Sequence, residues 1–369
     1  MKREKDIYIK IIDKNNIYKA ILNASKGKKD RENVKKILDN PYHYVDVIYN
    51  KLVTKIYNPS PYVEMKIHDG VRKKERIIFK PRFYPDQIVH WALMQQIESI
   101  IMKGMYEFCC GSVKGRGIMH GMKYLKKILV RDRKNTKYCL KLDIKKFYPS
   151  INQTILKRKF MRVIKDRDTL DLIDKIIDSA DEGVPIGNYT SQWFANFFLQ
   201  DLDHYIKEEL KVPYYLRYMD DMVLFHRNKK ELHKIKDKIE AYLKNENLKL
   251  KENWQLFKVD SRPIDFLGYR FYRGYTTLRK SNFLRIKRRY KKISKKQKIT
   301  YTDASASLSY YGWLKHCDSY NFNQKYVKPY VDLNKCKGVI RNESRKQFTT
   351  KKQVWNRKYY WWKMRYCFL

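Results

Sequence analysis

The spacing of apolar residues predicts an ordered series of strands and helices in the middle of the chain. "KYCLKLDIKKFYPSI" (137–151) predicts a strand that ends at Asp143, and "YYLRYMDDMVLF" (214–225) predicts a β-hairpin. Two helices and one further strand complete this region. They are predicted at 182–206, 229–243 and 247–259. This order is the split βαβ arrangement of a ferredoxin-like sheet, in which the Asp143 strand lies beside the hairpin.

The N-terminal part of the chain is predicted to be helical before and after a second hairpin. Residues 1–60 are polar and basic and predict a helical extension. A hairpin is predicted at 62–80 around the turn signal "HDG", and a helix is predicted at 86–105. A glycine-rich basic turn then leads into a helix within 111–129.

The C-terminal part of the chain combines helical patterns with a strong excess of positive charge. Residues 280–369 contain 24 Lys and Arg against 4 Asp and Glu. A basic helix is predicted at 283–298 and a second helix at 302–317, and Thr302 or Asp303 is expected to cap the second. The aromatic residues of these segments favour a folded, nucleic-acid-facing domain over a solvated run of charges.

The charge of the whole chain indicates a polyanionic partner. The 369 residues include 82 Lys and Arg against 39 Asp and Glu, a formal net charge of +43. Nucleic acid is the first candidate partner and an anionic membrane is the second. No stretch approaches about eighteen uninterrupted apolar residues, so we expect no membrane insertion and a cytoplasmic protein. The six cysteines form no C-x-x-C pair, which argues against a zinc module and for free thiols.

"YMDD" (218–221) places two carboxylates, Asp220 and Asp221, at the tip of an apolar hairpin. Aspartate is common in turns, so a solvated turn is the simpler interpretation. The alternative is a divalent cation, because Mg²⁺ prefers carboxylate oxygens and phosphates. A cation site needs a further carboxylate, and the predicted sheet supplies Asp143.

Six motifs in order make the chain resemble a reverse transcriptase over roughly residues 60–317. "YMDD" resembles the catalytic hairpin of that family, and "LDIKKFYPSI" resembles the strand that carries the first metal carboxylate. The other four motifs resemble fingers, template, primer-gripping and thumb segments. They are "RIIFKPRFYPDQIVHWAL", "VKGRGIMHGM", "PIDFLGYRFY" and "YYGWLKHCDS".

The resemblance implies an α+β fold of the right-hand polymerase type, with fingers, a ferredoxin-like palm and a helical thumb. The expected domains follow the order of the motifs along the chain. They are a basic helical extension at 1–60, fingers at 61–135, a palm at 136–275 with part of the fingers near 155–182, and a basic helical thumb with a C-terminal extension at 276–369.

One motif resembles a particular group within the family. The turn "PIGNYTSQ" has Ile186 where most reverse transcriptases have glutamine, as in the reverse transcriptases of diversity-generating retroelements. That resemblance implies RNA-directed DNA synthesis with frequent errors opposite adenine, from a retroelement template RNA and for mutagenic retrohoming. It also implies dNTPs, an RNA/cDNA duplex and a small, basic, oligomeric accessory protein as partners, in a bacterial or phage-infected cytoplasm.

The family resemblance assigns metal ligands near the hairpin. Asp143, Asp220 and Asp221 are the implied catalytic residues. Together with the backbone carbonyl of Ile144 they are expected to hold two Mg²⁺ ions, for which Mn²⁺ can substitute.

The implied nucleotide-binding residues come from the fingers and from the two turns near the catalytic strands. They are Lys66, Arg76, Tyr148, Ile186, Gly187 and Asn188. Tyr148 is expected to exclude a 2′-hydroxyl, although a core aromatic like Phe147 is the alternative. Gly187 is expected to let the nucleotide approach the backbone closely. Ile186 has no side-chain amide, so the pocket is expected to discriminate less strongly between correct and incorrect base pairs.

The implied template and primer contacts are spread over three motifs. They are Lys114, Arg116, Gln192, Phe266, Leu267 and Gly268. Two other polymerases remain possible from the residues, an antiviral enzyme and a group II intron-like enzyme, although the zinc spacing of many intron enzymes is missing. A non-polymerase alternative is an RNA-binding scaffold.

Overall fold

The computed structural model describes residues 3–69 and 74–343, and the chain divides into two compact units. The first unit is Met1–Arg262 and the second is Pro263–Leu369. The boundary lies inside the segment that we assigned to the palm, and the division into fingers, palm and thumb stays a prediction. The C-terminal extension from residue 344 lies outside the described residues.

The first unit contains twelve α-helices and six strands among the described residues. The helices are α1 (Tyr8–Ile12), α2 (Lys14–Ser25), α3 (Glu32–Asp39), α4 (Pro41–Val53), α5 (Ile88–Met102), α6 (Ile118–Arg131), α7 (Phe147–Ser150), α8 (Gln153–Val163), α9 (Arg167–Ile177), α10 (Tyr189–Phe198), α11 (Gln200–His204) and α12 (Lys229–Asn245). The strands are β1 (Val63–Asp69), β2 (Lys74–Lys80), β3 (Tyr138–Asp143), β4 (Tyr214–Tyr218), β5 (Asp221–His226) and β6 (Gln255–Lys258).

The N-terminal residues are helical, as predicted, and they share the core of the first unit. Helices α1 and α2 pack against α5, and α3 and α4 pack against α2. The buried Asn16 donates from Nδ2 to the carbonyls of Ile11 and Ala92, at 2.9 and 3.0 Å. This amide therefore ties α1, α2 and α5 together, and it satisfies polar groups that would otherwise be costly to bury.

The central sheet has the strand order β4-β5-β3-β6 with every neighbouring pair antiparallel. Strand β3 lies beside the β4–β5 hairpin, so this sequence prediction is confirmed. Leu140, Leu142, Leu224 and Phe225 are fully buried, as expected for strands covered by helices. The order is that of a split βαβ sheet, with α12 packed against β3 and β5.

The last strand of this sheet is shorter than predicted. Only Gln255–Lys258 pairs with β3, whereas the sequence pattern favoured a strand within 247–259. Asn247 has a left-handed backbone with φ 59°, and Leu250 forms an isolated bridge with Ile144. Lys251 lies beside the last residue of β3, because its backbone N–H donates to the carbonyl of Asp143 at 2.8 Å. The chain then makes a two-residue turn before β6 begins at Gln255.

The predicted hairpin at 62–80 is formed by β1 and β2, which pair in register from Val63 opposite Lys80. Its turn, residues 70–73, lies outside the described residues. The backbone N–H of Phe79 in β2 donates to the carbonyl of Ile186 at 2.8 Å. The hairpin is therefore attached to the turn that precedes α10.

The second unit has a three-stranded antiparallel sheet followed by helices. The strands are β7 (Ile264–Phe266), β8 (Tyr269–Phe271) and β9 (Thr276–Leu278), and the longer helices are α13 (Lys280–Ser294) and α14 (Tyr301–Leu314). Leu267 and Gly268 join β7 to β8 with φ values of 53° and 84°, the conformation that suits a two-residue hairpin turn.

Helix α14 is capped earlier than predicted. The side chain of Thr300, rather than Thr302 or Asp303, accepts from the backbone N–H of Asp303 at 3.2 Å. The carboxylate of Asp303 in turn accepts from the Thr300 hydroxyl at 2.8 Å. This reciprocal pair resembles a capping box.

Among the residues that the structure describes, no helix is long and apolar enough to cross a membrane.

Candidate active site

The end of β3 and the β4–β5 hairpin bring three aspartates together. Asp143 and Asp221 are direct partners across the two strands. Asp220 occupies the hairpin tip, where its carbonyl accepts from the backbone N–H of Ile144 at 3.3 Å. The tip is therefore not a solvated turn but part of the sheet edge at which the carboxylates meet.

The surroundings of Asp220 and Asp221 oppose the ionisation of these two carboxyls. Burial, followed by the charge of Asp143, raises the pKa of Asp220 to about 6. Burial also raises the pKa of Asp221 to about 6, with Asp143 and Asp220 adding to the effect and Lys141 opposing it. Raised pKa values of neighbouring carboxyls indicate uncompensated negative charge, which is typical of functional sites.

Two lysines that the sequence analysis missed lie against these carboxylates. Lys251 Nζ is 2.6 Å from Asp143 Oδ1, and Lys141 Nζ is 3.5 Å from Asp221 Oδ1. Lys141 could have been found, because it lies two residues before Asp143 and so on the same face of β3. Lys251 could not have been found from the sequence, because its position depends on the irregular backbone that precedes β6.

The carboxylate oxygens of these aspartates suit a hard divalent cation, but in this structure they are not arranged around one point. In the described part of the chain, no three acidic, histidine or cysteine side chains are gathered closely enough to hold a metal ion. Asp221 Oδ1 is nevertheless buried without a hydrogen-bond partner. Carboxylate oxygens are the ligands that Mg²⁺ prefers. For all three aspartates to bind the cation, the Asp143 side chain would have to leave its ion pair with Lys251.

A buried ion pair supports the hairpin tip from behind. Arg217 and Asp203 are fully buried, and Arg217 Nη2 lies 2.6 Å from Asp203 Oδ2. Arg217 Nη1 also donates to the carbonyl of Met219 at 3.1 Å and to Asn196 Oδ1 at 3.0 Å. Met219 has φ 55°, which is unfavourable for a residue with a side chain. The guanidinium thus fixes the tip in a conformation that it would not adopt by itself.

A glycine completes this support. The position that a Cβ would take on Gly111 is 2.5 Å from Met219 Sδ and 2.7 Å from the backbone nitrogen of Met219. Asn196 Nδ2 donates to the Gly111 carbonyl at 2.7 Å. Only a residue without a side chain can therefore occupy this position beside the tip.

The turn before α10 packs on the β1–β2 hairpin and on Tyr148. A Cβ on Gly187, which has φ 135°, would lie 2.3 Å from the carbonyl oxygen of Phe79. The close neighbour of Gly187 in this structure is therefore β2, and the close approach of a nucleotide to this glycine stays a prediction. A Cβ on Gly183 would lie 2.2 Å from the carbonyl oxygen of Tyr148. Ile186 is half-buried between these contacts.

Tyr148 is half-buried, whereas Phe147 belongs to the core. Burial, followed by the charge of Asp220, raises the pKa of Tyr148. The phenol is therefore close enough to Asp220 for the charge of that carboxyl to act on it. Its role as a gate stays a prediction.

The other predicted nucleotide contacts differ in their exposure. Asn188 is buried, and its Nδ2 donates to the Tyr62 hydroxyl at 2.7 Å, so its side chain links α10 to the start of β1. Lys66 lies 3.1 Å from Glu75 across the hairpin. The side chain of Arg76 lies outside the described residues.

The predicted template and primer contacts also fall into two groups. Lys114 and Gln192 are exposed, whereas Arg116 Nη1 donates to the carbonyls of Met105 and Tyr106 at 3.2 and 3.0 Å. In the second unit, the residues of the predicted primer-gripping turn are less accessible. Phe266 is fully buried and Leu267 is 8% exposed. The Phe266 side chain therefore belongs to the core, and a contact between this turn and the primer stays a prediction.

Two curated relatives of the chain are reverse transcriptases of bacterial retrons. The retron Ec73 reverse transcriptase of Escherichia coli is 29% identical over 50% of this chain and 60% of its own length. The retron Se72 reverse transcriptase of Salmonella heidelberg (strain 579083-10) is 27% identical over 44% of this chain and 41% of its own length. The chain thus spans less than two thirds of these curated relatives.

A solved structure of apo telomerase from Candida tropicalis, truncated from its C-terminal domain, is 15% identical, with a TM-score of 0.46 over 63% of this chain and 60% of that chain. Residues 71–271 match the family described as reverse transcriptase (RNA-dependent DNA polymerase). This match includes β3, the β4–β5 hairpin and all three aspartates. The chain belongs to the reverse transcriptase family.

Proposed function

We propose that the chain is an RNA-directed DNA polymerase whose catalytic residues are Asp143, Asp220 and Asp221. The observation that carries this proposal is the strand register that sets Asp143 opposite Asp221, beside the tip that holds Asp220. Polymerisation of dNTPs on a primed RNA template is the reaction that the family description names. An RNA-binding scaffold would have no need for three carboxylates at one sheet edge, where the pKa values of Asp220 and Asp221 are raised.

The three carboxylates and the backbone carbonyl of Ile144 would hold two Mg²⁺ ions, with Mn²⁺ able to substitute. Bound cations lower the pKa of the primer 3′-hydroxyl and stabilise the charge of the departing pyrophosphate. Lys251 and Lys141 compensate part of the carboxylate charge in the metal-free protein. Tyr148 would then contact the sugar of the dNTP, and the Ile186–Gly187 turn would border the new base pair.

Primer extension on an RNA template tests this proposal directly. The full chain should extend a DNA primer with dNTPs and Mg²⁺, and the product should be lost in EDTA. A protein that binds the primed template but gives no product with Mg²⁺ or Mn²⁺ would leave the scaffold alternative standing.

The template RNA is expected to contact a basic stripe on α13. Ile286, Tyr290 and Ile293 face the core of the second unit, and four exposed cations lie away from them. These cations are Arg285, Arg288, Lys291 and Lys292. Changing all four to glutamine should reduce the salt slope of RNA binding by roughly 0.7 for each single-strand phosphate that the protein no longer neutralises.

The measurement is RNA affinity as a function of potassium chloride concentration. The matched control changes four exposed lysines of α12 to glutamine: Lys230, Lys234, Lys238 and Lys244. Carboxylates are interspersed with these lysines, so their replacement should change the slope less. Equal slopes for the two quadruple variants would exclude α13 as the main phosphate-binding surface.

Two kinds of retroelement are compatible with this polymerase. The curated relatives are reverse transcriptases of retrons, and this favours a retron-like enzyme. The "PIGN" turn with Ile186 favours a diversity-generating retroelement, in which a small basic accessory protein would be a further partner. The two possibilities differ in the errors of the cDNA, because only the second requires frequent misincorporation opposite adenine.

Ile186→Gln tests the second possibility. The Ile186 carbonyl already accepts from Phe79, and this bond survives the substitution, so only the half-buried side chain changes. An amide can hydrogen-bond a nucleotide or template, and polar contacts discriminate far more strongly than a methylene worth about 1–3 kcal/mol. Errors opposite adenine should therefore fall several-fold, and more than errors opposite the other bases.

The measurement is sequencing of cDNA copied from one template that contains all four bases. Ile186→Leu is the matched control, because it keeps the apolar volume and should leave the error spectrum unchanged. If Ile186→Gln and Ile186→Leu give the same spectrum, the side chain at 186 does not control fidelity. A wild-type enzyme that copies adenine accurately with its own RNA would favour the retron-like alternative.

A further inference from the structure

A cavity between the N-terminal helices and the end of β2 gathers four cationic side chains. Its volume is about 380 Å³, within the range of small-ligand pockets. Lys28 and Arg31 come from the loop between α2 and α3, and Lys80 and Arg82 come from the end of β2 and the segment that follows it. All four lie in the first unit, and no acidic side chain lines the cavity.

The charge of these side chains is not balanced within the described part of the chain. None of the four forms an ion pair there with a carboxylate. Burial, followed by the charges of Arg31 and Lys80, lowers the pKa of Lys28. Lys28 Nζ donates to a neutral group, Gln87 Oε1, at 2.5 Å. Like charges held together in this way cost stability unless an anion joins them.

The loop that presents two of these cations has a defined backbone. The N–H of Lys28 donates to the Ser25 carbonyl at 2.9 Å, and the N–H of Arg31 donates to the Lys28 carbonyl at 3.1 Å. The first turn of α3, including Asn33, also lines the cavity, and no side chain caps it. The partial positive charge of the backbone at that helix start also attracts an anion, although the carboxylate of Glu32 in the same turn offsets part of it.

We propose that this cavity is a phosphate-binding site that holds the backbone of the RNA strand. Its residues are remote in the sequence from the three aspartates. Phosphate matches the ligand chemistry, because two arginines can each meet its oxygens with two parallel hydrogen bonds. The RNA strand is the favoured source because the net charge of +43 already indicates a nucleic-acid partner. The inference that the phosphate belongs to an RNA strand rests on the proposed function, whereas the inference that the cavity binds phosphate does not.

The position on β2 gives the site a connection to the turn before α10. Lys80 directly follows Phe79, whose backbone N–H holds the Ile186 carbonyl. An RNA phosphate bound by Lys80 and Arg82 would therefore be fixed to the same strand that supports the turn. The N-terminal helices, for which the family motifs give no role, would supply the other half of the site.

The test compares two double variants of the full chain. Lys28→Gln/Arg31→Gln removes two charges from the cavity. Lys35→Gln/Lys36→Gln removes two charges from exposed positions of α3 that do not line it. Binding of a fluorescein-labelled single-stranded RNA is measured across a potassium chloride titration in EDTA, without dNTPs, so polymerase activity does not enter the result.

The cavity variant should bind RNA roughly 5- to 10-fold more weakly at low salt, with a salt slope smaller by about 0.7 to 1.4. The α3 surface variant should change affinity less than about 2-fold. Lys28→Arg/Arg31→Lys keeps both charges and should retain wild-type binding, which separates loss of charge from misfolding.

Pyrophosphate in EDTA distinguishes the two sources of phosphate. A ligand that binds only the folded protein raises the melting temperature, so pyrophosphate at constant ionic strength should stabilise the wild type and not the cavity variant. If only this stabilisation is lost while the RNA slope is unchanged, the site takes a free phosphate ligand and the RNA assignment is overturned. If the cavity variant matches the α3 surface variant in both measurements, there is no phosphate site.

Discussion

Asp220→Asn is expected to reduce RNA-templated DNA synthesis on the order of 10³-fold, because it removes a carboxylate from the centre of the proposed metal site. Asparagine keeps the shape of the side chain but lacks the negative charge that attracts a divalent cation. Product should therefore be lost at every Mg²⁺ concentration. The measurement is the rate of primer extension on an RNA template, with RNA affinity measured on the same preparation.

The raised pKa of Asp220 predicts that this variant will fold. The pKa is about 6 in the folded protein against an ordinary value of 3.8, so the folded state binds the proton more tightly than the unfolded state. The free energy of unfolding should therefore fall as the pH rises from about 4 to about 6. Above that range the charged form costs up to about 3 kcal/mol. Asparagine removes this cost, and in EDTA at neutral pH the variant should melt no lower than the wild type.

Asp237→Asn is the matched control, since its carboxylate is exposed on α12 and does not belong to the group of three aspartates. It should retain full activity and RNA binding. Synthesis by Asp220→Asn at the rate of this control would refute the assignment of the catalytic residues. An inactive Asp220→Asn protein that melts well below the wild type would instead show a structural role for the carboxylate.

The sequence predicted the sheet and its aspartates because both depend on local patterns. Short apolar runs mark β3 and the hairpin, and "YMDD" places the carboxylates at a tip that the register brings opposite Asp143. The order of these strands and helices along the chain is then enough to predict the split βαβ topology. The end of β3 was predicted correctly for the same reason.

The surroundings of the aspartates were not predicted, because they depend on contacts between distant segments. Lys251 reaches Asp143 from the irregular segment before β6, where Leu250 forms only an isolated bridge with Ile144. Arg217 and Asp203 are charged residues in apolar segments, and nothing local reveals that they pair. Gly187 was recognised as special, but its neighbour proved to be Phe79, which lies more than a hundred residues earlier.

The support behind the tip gives the second large expected effect. Gly111→Ala should reduce the rate of synthesis roughly 100-fold, because a displacement of about 1 Å at a catalytic group can cost this much. The new Cβ would lie 2.7 Å from the backbone nitrogen of Met219, and backbone atoms cannot move aside as a flexible side chain can. Met219 would have to shift, and with it the adjacent Asp220.

Gly117→Ala is the matched control from the same glycine-rich segment. Gly117 has φ −80°, and nothing lies within 4 Å of the position of its Cβ, so alanine fits there without strain. The two variants carry the same chemical change, and RNA affinity should be the same for both. Primer extension at saturating RNA and dNTP separates them, because a displaced tip lowers kcat while leaving RNA binding intact.

Met219→Gly in the Gly111→Ala background tests the mechanism further. It removes Sδ and Cγ, which lie 2.5 and 2.8 Å from the new Cβ, but leaves the backbone nitrogen at 2.7 Å. Glycine also relieves the cost of the left-handed backbone at 219. The double variant should therefore recover stability while its kcat stays well below that of Gly117→Ala. Full recovery of kcat would show that the clash involves only the methionine side chain and that the position of the tip backbone does not limit catalysis.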